Sequence, residues 1–150
     1  MDYEFEVSEQ PLRHTLYIRT FTSAQKLPEE LGRAYHTIIE YLSTIGESPS
    51  DAAFACYHNM AMQNLDVEMG FIAAKPLPEK GDIKPGKIPA GKQLSYVHKG
   101  SYKELESVYK AMMQWIQQSE HTPTGLAYEL YYNSPNEVPE SELLTRVSFH

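Results

Sequence analysis

The sequence predicts an α+β fold built from two strand–helix–strand–strand units, and three observations lead there. A shift of 74 residues lays Tyr35 to Asn59 over Tyr109 to Asn133 without a gap. It pairs Tyr35 with Tyr109, Pro49 with Pro123, Ala53 with Ala127, Tyr57 with Tyr131 and Asn59 with Asn133, and it sets Glu30-Leu31 on Glu104-Leu105. Each copy carries one apolar stripe at helical spacing. Each stripe is bracketed by short runs rich in β-branched and aromatic residues. A match at one fixed offset marks a repeated structural unit. The expected layout is a single domain, with half one at about residues 1–74, a connecting loop at about 75–91 and half two at about 92–150. Pseudo-twofold symmetry would place antiparallel sheets around a central ligand cleft, with the helices on the outer face.

The elements follow in order. Y-E-F-E-V (3–7) alternates and reads as an edge strand, and T-L-Y-I-R-T (15–20) as the first strand of the repeat. Pro28 suits a helix start, where its missing N–H costs little. Leu31, Tyr35, Ile38, Ile39 and Leu42 then form the stripe, and Gly46 and Pro49 stop the helix. A-A-F-A-C-Y (52–57) and L-D-V-E-M-G-F-I-A (65–73) are the next strands. Residues 75–92 are rich in Lys, Pro and Gly, the composition of a connecting loop. The second unit reads Q-L-S-Y-V-H (93–98), a K-G-S turn, and a helix with Leu105, Val108, Tyr109, Met112, Trp115 and Ile116. It closes with L-A-Y-E-L-Y-Y (126–132) and L-L-T-R-V-S-F (143–149).

Composition excludes several classes. With 41% hydrophobic and 11% aromatic residues over 150 positions, the chain can bury a core and is not disordered. No run reaches the ~18–20 apolar residues that cross a bilayer. The start M-D-Y-E-F-E-V lacks the basic and apolar regions of a signal peptide, so a cytoplasmic location is expected. The single Cys56 has no partner for an intramolecular disulfide and reads as a buried thiol. A net charge of −7 without a basic cluster speaks against direct nucleic-acid binding. The six histidines offer only the weak His36/Glu40 pair, read as a surface pair, so no metal site is expected. No phosphate-cradling loop or nucleophile elbow is present.

Glu129 is the anomaly. It stands mid-strand in A-Y-E-L-Y-Y, where side chains alternate between faces. Tyr128, Leu130 and Tyr132 share one face, and Glu129 shares the other with Tyr131. The repeat aligns Phe54 and Cys56 with Tyr128 and Leu130, which assigns that set to the helix side. Ala55 and Tyr57 align with Glu129 and Tyr131, so one copy has no acid and the scaffold does not need one. A solvated strand face accounts for the alternation. An enclosed face would instead make Glu129 a desolvated counter-ion for a cationic guest, with Tyr131 and Tyr57 as aromatic walls, or a general acid or base. Trp115 reads as core or as cleft lining. Glu68, between Val67 and Met69, reads as a paired or solvated acid or as a ligand contact.

Several stretches carry a family resemblance: L-D-V-E-M-G-F (65–71), I-P-A-G (88–91), H-K-G-S-Y (98–102), Trp115, and Y-E-L-Y-Y-N-S-P-N-E-V-P-E-S-E-L-L-T-R-V (128–147). In order and spacing they resemble the GyrI-like small-molecule-binding family, which also forms the effector-binding part of AraC-type and MerR-type regulators. The resemblance spans essentially the whole chain. It implies a cleft whose acid, on the penultimate strand, corresponds to Glu129. It also implies guests that are often cationic and aromatic. Where many relatives carry a second acid on the last strand, this chain has Arg146, so a two-acid site is not expected. A stand-alone domain is expected, without a DNA-reading domain of its own. A related fold binds haem, but no histidine here stands out as an axial ligand, and no cofactor is expected.

Three functions stay open. The first is binding of amphipathic, cationic aromatic small molecules through Glu129, Tyr131, Tyr57, Trp115 and Glu68, for sensing or sequestration. The second is a hydrolase of electrophilic small molecules, with Glu129 as acid/base and Tyr131 as hydrogen-bond donor. The third is a protein partner such as gyrase or a regulator, bound in the manner of a gyrase inhibitor.

Overall fold

The structure, a computed structural model, describes residues 4–49, 52–59, 61, 63–119, 126–133 and 138–149. Pro123 of the repeat and residues 134–137 of the last motif lie outside that range. The elements are β1 (Glu6–Gln10), β2 (Arg13–Thr22), α1 (Leu27–Thr44), β3 (Ala53–Tyr57), β4 (Leu65–Ala73), β5 (Lys84–Ile88), β6 (Gly91–Lys99), α2 (Leu105–Gln118), β7 (Ala127–Tyr131) and β8 (Leu144–Phe149). The strand–helix–strand–strand order occurs twice, as β2-α1-β3-β4 and β6-α2-β7-β8. Pro28 sits in the first turn of α1. Ser101 caps the 3-10 turn Tyr102–Glu104 that leads into α2, its hydroxyl accepting from the Lys103 N–H at 3.1 Å.

All eight strands join one antiparallel sheet in the order β1-β6-β8-β7-β3-β4-β2-β5. The two halves are therefore continuous rather than a pair of facing sheets, and the seam is β3 against β7, where Ala55 stands opposite Glu129. The sheet cannot be flat. β1 and β2 lie six strand spacings apart in it, about 29 Å if flat. The link between Gln10 and Arg13 holds only Pro11 and Leu12, a reach of at most about 11 Å. Ile88-Pro89-Ala90-Gly91 makes the same crossing between β5 and β6. Gln10 pairs with Gly91 on one side of the bend and Arg13 with Ile88 on the other. The ribbon thus turns the corner in register and curls the sheet into a half-barrel.

Two expectations are corrected here. The connecting loop contains β5, because an edge strand that pairs only with β2 tolerates Pro85 and exposed lysines. The face assignment is reversed. Ala55 and Tyr57 pack with Ala34 of α1, and Ala127 packs with Val108 and Met112 of α2, so both helices cover the Glu129 face. Phe54, Cys56, Tyr128 and Leu130 form a separate buried cluster with Ile72 and Ile88 on the other face. The error had a simple source. An apolar run in the middle of a sheet is buried on both sides, and its periodicity does not say which side meets a helix.

The packing holds the helices as two separate covers. α1 buries Ile38 and Leu42 against Leu16 and Ile83, and α2 buries Val108 and Met112 against Leu94, Val147 and Phe149. Each such side chain contributes roughly 1.5–3 kcal/mol by leaving water. β2 meets β4 so closely that a Cβ on Gly70 would stand 1.9 Å from the Leu16 carbonyl oxygen and 2.8 Å from the Tyr17 Cα. Both are backbone atoms, so neither can swing aside. Gly70→Ala is expected to lower stability by about 3 kcal/mol or more, read as a fall in the midpoint of urea unfolding with little change in its slope.

Candidate functional site

The central strand β7 places Glu129 on the helix-covered face, between the two helices. Its side chain is 7% exposed. Two phenols hold it. Tyr109, from α2, donates to Oε2 at 2.5 Å, and Tyr131, two residues along β7, donates to Oε1 at 2.9 Å. Tyr57, from β3, is buried in the cluster against which Tyr131 packs. Tyr35, from α1, donates to the Phe54 carbonyl at 2.9 Å and lies close enough to feel the Glu129 charge. Tyr102 sets its ring edge-on to Tyr131 at 5.9 Å between centroids. It follows Gly100, whose φ of 139° is a conformation that only glycine adopts easily.

The electrostatics are one-sided. Burial raises the Glu129 carboxyl above the ordinary carboxylate range, and the bonds from Tyr109 and Tyr131 pull it part of the way back. Burial, then the Glu129 charge, lifts Tyr109 and Tyr131 well above the usual phenol range. Tyr35, Tyr57 and Tyr102 shift the same way, burial first. Every phenol therefore stays neutral around Glu129. Among the described residues, its only hydrogen-bond partners are Tyr109 and Tyr131, and no Lys, Arg or His pairs with it. A buried carboxylate without a cation costs several kcal/mol. What reduces that cost is a proton, or a cation brought by a guest.

Of the residues singled out from sequence, the structure brings Glu129, Tyr131 and Tyr57 together. Trp115 packs instead against the α2-side core of Leu94, Val108 and Met112. Glu68 stands on the opposite face, across from Cys56, where it meets the ring of His58. Strand parity forbids it from reaching a guest held at Glu129. Sequence reasoning missed Tyr35, Tyr109 and Tyr102. The signal was present, because Tyr35/Tyr109 and Tyr57/Tyr131 are both identities of the repeat, one pair on the helices and one on the strands. Reading Tyr35 and Tyr109 as part of an apolar stripe hid them.

No curated protein matches this chain. Among solved structures, EcmrR in its DNA complex superposes with a TM-score of 0.84 at 22% identity, covering 98% of this chain and 56% of that one. The chain thus spans little more than half of that relative. The separately solved EcmrR C-terminal domain gives 0.79 at 23% identity, covering 99% and 97%. The protein SAV2435, solved bound to tetraphenylphosphonium, gives 0.69 at 9% identity, covering 97% and 92%. A hydrolase from Listeria innocua gives 0.64 at 12% identity, covering 99% and 91%. These likenesses concern the fold. The sequence itself matches a family over residues 3–149. With that match spanning nearly every residue, the chain belongs to the GyrI-like small molecule binding domain family.

Proposed function

We propose that this protein binds amphipathic, cationic aromatic small molecules between its two helices, with Glu129 as counter-charge and the tyrosines as walls. The observation that carries this reading is a buried carboxylate whose partners among the described residues are all phenols. A lipophilic cation offers what such a site lacks. It supplies charge without requiring a hydration shell, and each ring it meets adds roughly 0.5–2 kcal/mol of cation–π attraction. The bound tetraphenylphosphonium of one structural neighbour is a cation of this class. Binding would serve sensing or sequestration of such compounds.

Glu129→Gln keeps the shape of the site and removes its charge. It is expected to weaken tetraphenylphosphonium binding by about 10–100-fold, equivalent to about 1.4–2.8 kcal/mol. A neutral guest of similar size, such as triphenylphosphine oxide, should lose little. Titration calorimetry on both proteins measures this, and equal affinities for the cation would reject the reading.

The raised carboxyl also fixes a sign. The guest-free folded state holds the Glu129 proton more tightly than the unfolded chain does. Its contribution to stability is therefore fully present below the unfolded pKa, near about 4.3, and is lost as pH rises through the folded value. Cation binding runs the other way, since it needs the carboxylate. Affinity should fall as pH drops through that folded value, and Glu129→Gln should flatten both profiles. Parallel pH titrations of unfolding and of dye binding check the pair of slopes.

A second reading rests on the short Tyr109–Glu129 bond. A buried acid beside a phenol can activate water and donate a proton, and one structural neighbour is a hydrolase. Hydrolysis of an electrophilic substrate such as an epoxide, lost in Glu129→Gln, would support it. Intact substrate after prolonged incubation would leave binding as the function.

A further inference from the structure

Behind Glu129, on the other face of the same strands, lies a second cluster that the site does not use. Cys56 and His58 are two residues apart at the end of β3 and so point to one side. Glu68 stands directly across from Cys56 in the register of β3 with β4. The His58 N–H still donates to the Asp66 carbonyl at 2.9 Å, which holds His58 in line one residue beyond the strand. Nε2 of His58 contacts the Glu68 carboxylate. One donor atom from each of Cys56, His58 and Glu68 lies within 4.8 Å of the other two.

We propose that Cys56, His58 and Glu68 form a three-ligand site for a divalent transition metal, zinc by its donor chemistry, with a fourth position open to water. A thiolate, an imidazole and a carboxylate are the ligands that zinc takes, at about 2.0–2.3 Å. Tetrahedral ligation at those lengths sets donor atoms about 3.3–3.8 Å apart, so the cluster needs only small side-chain movements to close on an ion. Magnesium and calcium want oxygen alone and do not suit a sulfur donor. Cys56 is fully buried, whereas the His58 and Glu68 side chains are 21% and 19% exposed. Entry and the open position therefore lie on the side of His58 and Glu68.

The neighbouring cation does not compete for the cluster. Arg19, the nearby cation, is held by both oxygens of Asp66 at 2.8 and 2.7 Å, which leaves Glu68 to the cluster. Tyr128 stands across from Cys56 in the β3–β7 register and shares its buried cluster. Sequence spacing hid the site. The C-x-H pair is too short for a familiar zinc pattern, and the third ligand comes from the neighbouring strand. Glu129 faces the other way, so failure of this proposal would leave the cation-binding reading intact.

Cobalt titrated into the intact, reduced, metal-stripped protein tests it. The expected result is a thiolate-to-cobalt charge-transfer band that saturates at one equivalent and disappears when zinc is added. Cys56→Ser should remove the band. His58→Gln and Glu68→Gln should each weaken binding by more than the roughly 10–100-fold that loss of an outer partner costs. Zinc should also raise the unfolding temperature of the unaltered protein and not that of Glu68→Gln. A folded protein that shows no band overturns the proposal. So does a band that His58→Gln and Glu68→Gln both leave unchanged, because that describes a thiol binding metal alone.

Discussion

The structure turns on a carboxylate held away from water by two phenols. Bringing a charge into a protein interior costs several kcal/mol. A hydrogen bond to a charged group returns about 1.5–3 kcal/mol. Tyr109 and Tyr131 supply one each, which offsets part of that cost and holds the carboxyl in place. The arrangement is also directional. One phenol comes from a helix and the other from the strand that carries Glu129, which fixes both oxygens and ties α2 to the middle of the sheet. The phenols around Glu129 do not ionise near neutral pH.

Much of the fold was legible in the sequence. The repeat gave the order of elements, and Pro28, Gly46 and the apolar stripes gave α1 nearly to its ends. The candidate site showed in the sequence through its acid, because Glu129 falls where the other copy has Ala55 and so serves no need of the scaffold. Three things were not legible, each for a physical reason. β5 carries Pro85 and two lysines, and only its edge position makes them acceptable. The helix side of the sheet was misassigned because β3 and β7 are buried on both faces. The merging of two halves into one sheet depends on the β3–β7 seam, a pairing between residues far apart in sequence that no local pattern encodes.

Strand β3 shows how much one short element can carry. Ala55 and Tyr57 face the helices and the phenol cluster, while Cys56 and then His58 face the opposite side. The strand is only five residues long. Its neighbours β4 and β7 fix its register on both sides, so its two sets of side chains cannot exchange roles. A slip of one position would carry Tyr57 away from Tyr131 and replace it with a thiol or an imidazole.

The corner at Pro11 and Pro89 fixes the width of the sheet that carries both helices. Both crossings are two residues long and sit opposite one another in register. The distance between the outer edges of the sheet is therefore limited by bond lengths rather than by side-chain contacts. Any movement of α1 and α2 over the sheet leaves the span of the strands beneath them unchanged. The width of the floor under the two helices is set by the covalent chain.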